Sequence, residues 1–79
     1  MHTITQSGHV GSILKGRRKA LKLSQTQVAS HLGLSQNRLS ELETRPHTLT
    51  VEQLLALLNM MGLELFVRDR PASGKSRIE

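Results

Sequence analysis

The sequence contains no cysteine, which excludes disulfide bonds, thiolate metal sites and thiol nucleophiles. Tryptophan and tyrosine are also absent, and Phe66 is the single aromatic residue. Proteins that recognise single-stranded nucleic acid stack its bases on aromatic rings, so a chain with one ring is poorly suited to that role. If the protein binds a nucleic acid, this composition favours a duplex.

No uninterrupted apolar run approaches the roughly 20 residues that a membrane-spanning helix needs. The first ten residues also lack the basic and then apolar order of a secretory signal. A chain of 79 residues has the size of one small domain and leaves little room for a second layer around an enzyme pocket. We therefore expect a cytoplasmic protein that is not an enzyme and does not contact a membrane.

The histidines show no spacing that is typical of metal ligands, because no two of them are four residues apart and none has an acidic companion at ligand distance in the sequence. No histidine and acid are placed to activate Ser24 or Ser35, which are better explained as helix caps. The sequence therefore predicts no metal, no cofactor and no catalytic residue.

Acidic residues are missing from the first 22 positions, which contain the basic residues Lys15, Arg17, Arg18, Lys19 and Lys22. The whole chain has a net charge of +5, whereas residues 46–69 are net negative. A basic face on a small domain is typical of a protein that binds a polyanion such as nucleic acid. A solvated helix face without a partner is the alternative explanation of the same charges.

Apolar spacing and capping signals predict the first two helices. One helical stripe runs over residues 8–22, through Val10, Ile13, Leu14, the stem of Arg18 and Leu21. Ser24 and Gln27 match a capping box, in which each residue bonds the backbone N–H of the other, so a second helix is expected over 25–32. Gly33 suits the left-handed conformation that ends many helices.

The third predicted helix follows the N-cap Ser35 and spans 36–44, with Leu39 and Leu42 directed inward. A second capping box, Thr50 with Gln53, begins a fourth helix that ends at Gly62. This helix has too many leucines and methionines for one narrow stripe. We expect it to be covered on more than one side, by the domain core or by a dimer partner.

The dipeptide Ser-Gln opens both central helices, at positions 24–25 and 35–36. Each pair stands at a helix N-terminus, where free N–H groups attract a phosphate and the amide can bond a phosphate or a base edge. Two short helices joined by a tight glycine turn, the second with exposed amides, are typical of a helix-turn-helix, whose second helix enters the major groove of DNA.

This interpretation yields two sets of candidate DNA contacts. The predicted base-reading residues project from the third helix, and they are Gln36, Asn37, Arg38 and Ser40. The predicted phosphate contacts lie at helix termini and on the basic first helix, and they are Arg17, Lys22, Ser24, Gln25, Ser35 and Arg45.

In residues 63–68 the apolar Leu63, Leu65 and Val67 fall on one face and Glu64, Phe66 and Arg68 on the other, a period of two that predicts a strand over 63–69. The chain offers no second strand, so we expect the strand to pair with its copy across a two-fold axis. The predicted dimer interface consists of Leu63, Leu65, Phe66 and Val67. In the competing explanation, residues 63–79 fray and a monomer binds DNA weakly. Residues 1–7 are expected to form an arm and residues 70–79 a flexible tail around the domain at 8–62.

The segment LSQTQVASHLGLSQNRLSELE, residues 23–43, resembles the lambda-repressor-like helix-turn-helix of the Xre type, and the likeness extends over residues 9–61. The resemblance implies an all-α DNA-binding domain of four to five helices, with a C-terminal β-strand that pairs across a dimer if the strand prediction holds. It also implies a structural ion pair between Arg18 in the first helix and Glu43 at the end of the third.

The segment GLELFVRDRP is similar to the C-terminal strand region of HipB-like antitoxins. This resemblance implies a homodimeric repressor that binds double-stranded operator DNA, regulates its own operon and binds a HipA-like kinase toxin. The alternatives are a phage-type or stand-alone Xre repressor without a toxin, and an adaptor that binds only proteins. Salt-sensitive binding to the DNA upstream of its own gene distinguishes a repressor from an adaptor.

Overall fold

The computed structural model describes residues 2–70, and these form four α-helices and one short 3₁₀ helix without a β-strand. The helices are α1 (Ser7–Ala20), α2 (Gln25–Leu32), α3 (Gln36–Thr44) and α4 (Val51–Met60), with the 3₁₀ helix (Pro46–Thr48) between the last two. The predicted all-α domain of four helices is confirmed, and α2 and α3 have the predicted bounds.

Local capping explains why such short helices begin where they do. Both predicted capping boxes are present: the Ser24 Oγ accepts the Gln27 N–H at 3.0 Å, and the Thr50 Oγ1 accepts the Gln53 N–H at 3.0 Å. The glutamine side chains bond back to the capping residues at 2.8 and 3.0 Å. Each box satisfies donors that a helix start would otherwise leave unpaired.

The end of α1 corrects the predicted helix of residues 8–22. Lys22 has a φ of 61°, so the helix stops at Ala20 and the chain turns through a left-handed residue. The Lys22 N–H donates to the Lys19 carbonyl at 2.9 Å, and the Leu23 N–H donates to the Arg18 carbonyl at 3.0 Å. These bonds close α1 in the way that glycine commonly closes a helix, and a lysine carries no sequence signal for that conformation.

The hydrophobic core lies where the four helices meet. Its fully buried side chains are Leu14, Val28, Ala29, Leu39, Leu42, Leu57 and Met61. Two apolar side chains of α4 are not covered in the single chain: Val51 is 70% exposed and Leu55 is 41% exposed. The prediction that α4 is covered on more than one side therefore does not hold within one chain.

Gly11 allows α1 to cross close to the end of α3. A Cβ built on this residue would overlap the Glu43 carbonyl oxygen and lie 3.1 Å from the Pro46 Cγ. The apolar periodicity of α1 did not predict that Gly11 is buried, because glycine has no apolar side chain to contribute to the stripe. The close approach brings the backbone of α1 against the turn that follows α3.

The segment after α4 begins with Gly62, whose φ is 69°, and with a bond from the Leu63 N–H to the Leu58 carbonyl at 2.8 Å. Leu63 packs against the core, whereas residues 64–70 are exposed and have no regular secondary structure. The strand predicted over 63–69 is thus absent from the described part of this single chain, which holds no strand to pair with it. Residues 71–79, most of the predicted tail, lie outside the described residues.

Candidate DNA-binding surface

The turn between α2 and α3 sets the two Ser-Gln pairs in neighbouring positions. Gly33 has a φ of 72°, and the Leu34 N–H donates to the Ala29 carbonyl at 2.8 Å. This arrangement is the predicted glycine-terminated helix end, and Leu34 packs against the core. The Ser35 Oγ then accepts the Arg38 N–H at 3.0 Å and starts α3.

The two glutamines of the Ser-Gln pairs bond to each other. The Gln36 Nε2 donates to the Gln25 Oε1 at 2.5 Å, and the Gln25 Nε2 donates to the Glu43 Oε1 at 3.0 Å. Residues 36, 39 and 43 are spaced so that they share one face of α3, with Leu39 fully buried between the two polar side chains. Gln25, the first residue of α2, therefore bonds to Gln36 at the start of this face of α3 and to Glu43 at its end.

Arg18 and Glu43 form a buried ion pair at the base of this arrangement. The Arg18 Nε and Nη2 donate to the two carboxylate oxygens at 2.6 and 3.1 Å. The Arg18 Nη1 donates to the Leu23 carbonyl at 2.9 Å, which fixes the connection between α1 and α2. One guanidinium thus links three segments: the end of α1, the connection before α2 and the end of α3.

Opposing influences act on the ionisation of Glu43. Burial raises the pKa of its carboxyl group, but hydrogen bonds from Arg18 and Gln25 and the positive charges of Arg18 and Lys15 lower it. The lowering contributions prevail, so the pKa lies below the ordinary value of 4.5. Glu43 is therefore a carboxylate at neutral pH and acts only as a hydrogen-bond acceptor.

The outer face of α3 forms a shallow open groove with a polar lining of Ser35, Asn37, Arg38, Ser40, Glu41 and Thr44. Asn37 is exposed at the N-terminal end of this groove. Arg38 is bound to Glu41 at 2.9 Å, and both side chains are partly open to solvent. The Thr44 Oγ1 donates to the Ser40 carbonyl at 3.0 Å. The predicted base-reading residues other than Gln36 thus share one groove, and Gln36 lies on the adjacent face toward α2.

Most of the predicted phosphate contacts lie at helix ends. The hydroxyls of Ser24 and Ser35 accept helix N–H groups, which leaves their own hydrogens free to bond a phosphate oxygen. Lys22 and Arg45 are exposed at the ends of α1 and α3. Gln25 is partly buried, and both ends of its amide are engaged by Glu43 and Gln36.

Arg17 occupies a different environment from the other phosphate candidates. Its Nε donates to the Met61 carbonyl at 2.9 Å, at the C-terminal end of α4. A guanidinium at that position satisfies a free carbonyl and faces the negative end of the helix dipole. This bond holds α1 to α4 through the Nε alone, and Arg17 stays a predicted phosphate contact.

The sequence patterns missed two features of this surface. They did not predict the bond between Gln25 and Gln36, although the same amide at the first position of two helices joined by a short turn was a usable signal. They also left Thr44 out of the outer face of α3, where it lines the groove. Every buried side-chain nitrogen or oxygen in the described part of the chain has a hydrogen-bond partner.

Residues 2–70 contain neither a metal-binding cluster nor a membrane-spanning helix. No group of three or more histidine, aspartate or glutamate side chains in this range is arranged to hold a metal ion. No helix in the same range combines the length and apolar character needed to cross a membrane.

The helix-turn-helix family profile matches residues 14–67, a range that includes α2, the glycine turn and α3. No match to a curated protein was found. Because the match covers most of the chain, the protein belongs to the helix-turn-helix family of Xre- and lambda-repressor-like domains.

Proposed function

We propose that the protein is a sequence-specific transcriptional repressor that binds duplex DNA through α2 and α3. The observation that carries this proposal is the hydrogen bond between Gln25 and Gln36, which holds two amides together where α2 and α3 begin. Asn37, the next residue of α3, has an exposed amide in the outer groove. Amide side chains at the start of a recognition helix are suited to adenine, which presents one donor and one acceptor in the major groove.

In this mechanism α3 lies in the major groove and the N-terminus of α2 faces the phosphate backbone. The hydroxyls of Ser24 and Ser35 and the nearby charges of Lys22 and Arg45 bind phosphates and set the orientation of α3. Gln36, Asn37, Arg38 and Ser40 then face base edges. Arg38 exchanges its contact with Glu41 for DNA at little cost, since exposed ion pairs contribute only about 0 to 1 kcal/mol.

Selection from a library of random DNA duplexes tests the proposal. A repressor should enrich a defined sequence and bind it more tightly than random DNA, with affinity that falls as the salt concentration rises. Binding that shows no sequence preference and no salt dependence would instead support the protein-binding adaptor.

We further propose that the repressor is a homodimer joined through residues 63–69, with Leu63, Leu65, Phe66 and Val67 at the interface. The support is the exposure of consecutive apolar side chains, because Leu65, Phe66 and Val67 are 49, 61 and 91% exposed in the single chain. A second copy would cover them and supply a partner for the backbone. A two-fold dimer would also present two copies of α3 to successive major grooves, about 34 Å apart.

An antitoxin role is the second candidate, with a HipA-like kinase toxin as the partner. The similarity of residues 62–71 to HipB-like antitoxins supports it, as does the exposed apolar segment, which offers surface to a protein partner. Co-expression with the product of the neighbouring gene tests this role. A stable complex with a kinase supports the antitoxin, whereas a neighbour that is no kinase or does not bind favours a stand-alone or phage-type repressor.

A further inference from the structure

Hydrogen bonds link Arg18, Glu43, Gln25 and Gln36 in that order. The Arg18–Glu43 pair at one end determines which group donates in each of the following bonds. Both oxygens of Glu43 already accept from Arg18, at 2.6 and 3.1 Å, and a carboxylate has no hydrogen to donate. The amide of Gln25 that approaches Glu43 must therefore present its Nε2, as it does at 3.0 Å.

The orientation of the Gln25 amide in turn determines the orientation of the Gln36 amide. With its nitrogen directed at Glu43, Gln25 turns its carbonyl oxygen toward Gln36, which must then present an N–H to it. Two carbonyl oxygens facing each other at that distance would repel. The ionised carboxylate thus determines which end of the Gln36 amide points toward α2 and which end points away.

We propose that Glu43 is a positioning residue for base recognition, because it fixes the orientation of the Gln36 amide through Gln25. This inference rests on the proposed function, in which Gln36 faces a base edge. Gln36 retains its Oε1 and one N–H, which match the N6 donor and N7 acceptor of adenine. Guanine presents two acceptors at the same edge and leaves the Oε1 without a donor. The fixed amide also determines on which side the adenine N6 must lie.

The orientation can be measured without DNA. In NMR spectra of the free protein, one of the two Gln36 side-chain amide hydrogens should exchange with solvent more slowly than the other. Glu43→Gln presents a donor as well as an acceptor to Gln25, so the difference between the two hydrogens should diminish. Glu52→Gln, which removes one carboxylate from the exposed first turn of α4, is the charge-matched control and should retain the difference.

A second variant covers the case in which Glu43→Gln does not fold. Gln25→Ala removes the middle of the chain and leaves the Arg18–Glu43 ion pair in place. It should abolish the protection of the Gln36 hydrogen in the folded protein. Equal exchange of the two hydrogens in the wild type, or protection that persists in Gln25→Ala, would overturn the inference.

Binding measurements then test the consequence for recognition. The base pair read by Gln36 is the one whose preference disappears in Gln36→Ala. At that pair, Gln25→Ala should reduce discrimination by about tenfold. A lost phosphate contact alone would weaken all sequences equally, so an unchanged ratio between matched and mismatched duplexes would overturn the positioning role. If the wild type shows no sequence preference, the proposed function fails, while the free-protein measurement still decides whether Glu43 orients Gln36.

Discussion

At the scale of single residues, a substitution of Asn37 distinguishes base recognition from general affinity for DNA. Its amide is exposed at the start of α3 and lines the open groove on that helix. We expect Asn37→Ala to weaken binding to the selected site by about 1 to 3 kcal/mol, with little effect on random duplexes. Fluorescence anisotropy at constant salt provides the comparison.

Asn59→Ala is the matched control, because Asn59 is an exposed asparagine on α4. It should bind the selected site as the wild type does. Equal losses on selected and random DNA for Asn37→Ala would show that this residue does not read bases.

Two glycines of α1 provide a second residue-scale prediction. Gly11→Ala should destabilise the fold by about 2 kcal/mol, since its Cβ would overlap the backbone of α3 at Glu43. Gly16→Ala has no neighbouring atom within 4 Å and should stabilise α1 by about 0.5 to 1 kcal/mol. Chemical denaturation of both variants measures the difference, and similar stabilities would mean that α1 and α3 do not approach closely at Gly11.

At the scale of elements, the Arg18–Glu43 pair holds α1, α2 and α3 together and makes this contact sensitive to acid. The pKa of Glu43 is lowered in the folded state, so its contribution to stability is complete above about pH 4.5 and is lost as the pH falls through the folded value. We expect the free energy of unfolding to decrease below that point.

Glu43→Gln should be less stable at neutral pH by about 3 kcal/mol, because it leaves the Arg18 charge buried without a counter-ion. Its stability should also depend less on pH below about 4.5, as measured by thermal unfolding. Glu52→Gln is the control and should keep the pH dependence of the wild type. An unchanged slope in Glu43→Gln would contradict the role of this carboxylate.

At the scale of the whole molecule, the segment after α4 determines whether two recognition helices act together. We expect the wild type to sediment as a dimer. Leu65→Pro removes a backbone donor and should lower both the dimer population and the affinity for a palindromic site. The helical domain should remain folded, because Leu65 lies outside the helices and is half exposed.

Leu65→Val keeps the backbone N–H and the apolar side chain, so it should dimerise like the wild type. A monomeric wild type, or a proline variant that still forms the dimer, would show that residues 63–69 are not the interface. The competing explanation, in which this segment frays and a monomer binds DNA weakly, would then apply.

The sequence by itself determined the helices and the turn of the helix-turn-helix. These signals are the capping boxes at Ser24 and Thr50 and the left-handed Gly33. Each involves residues no more than a few positions apart, so it can be predicted from the sequence alone. The resemblance to Xre domains added the pairing of Arg18 with Glu43, which lie 25 positions apart.

Only the tertiary structure decided the contacts between distant segments. It placed Arg17 on the carbonyl of Met61, joined Gln25 to Gln36 and pressed Gly11 against the end of α3. In a charge pattern Arg17 and Arg18 look alike, but neighbouring residues of a helix point about 100° apart and contact different partners. Which partner each side chain meets depends on how the helices cross, and local propensity carries no information about that.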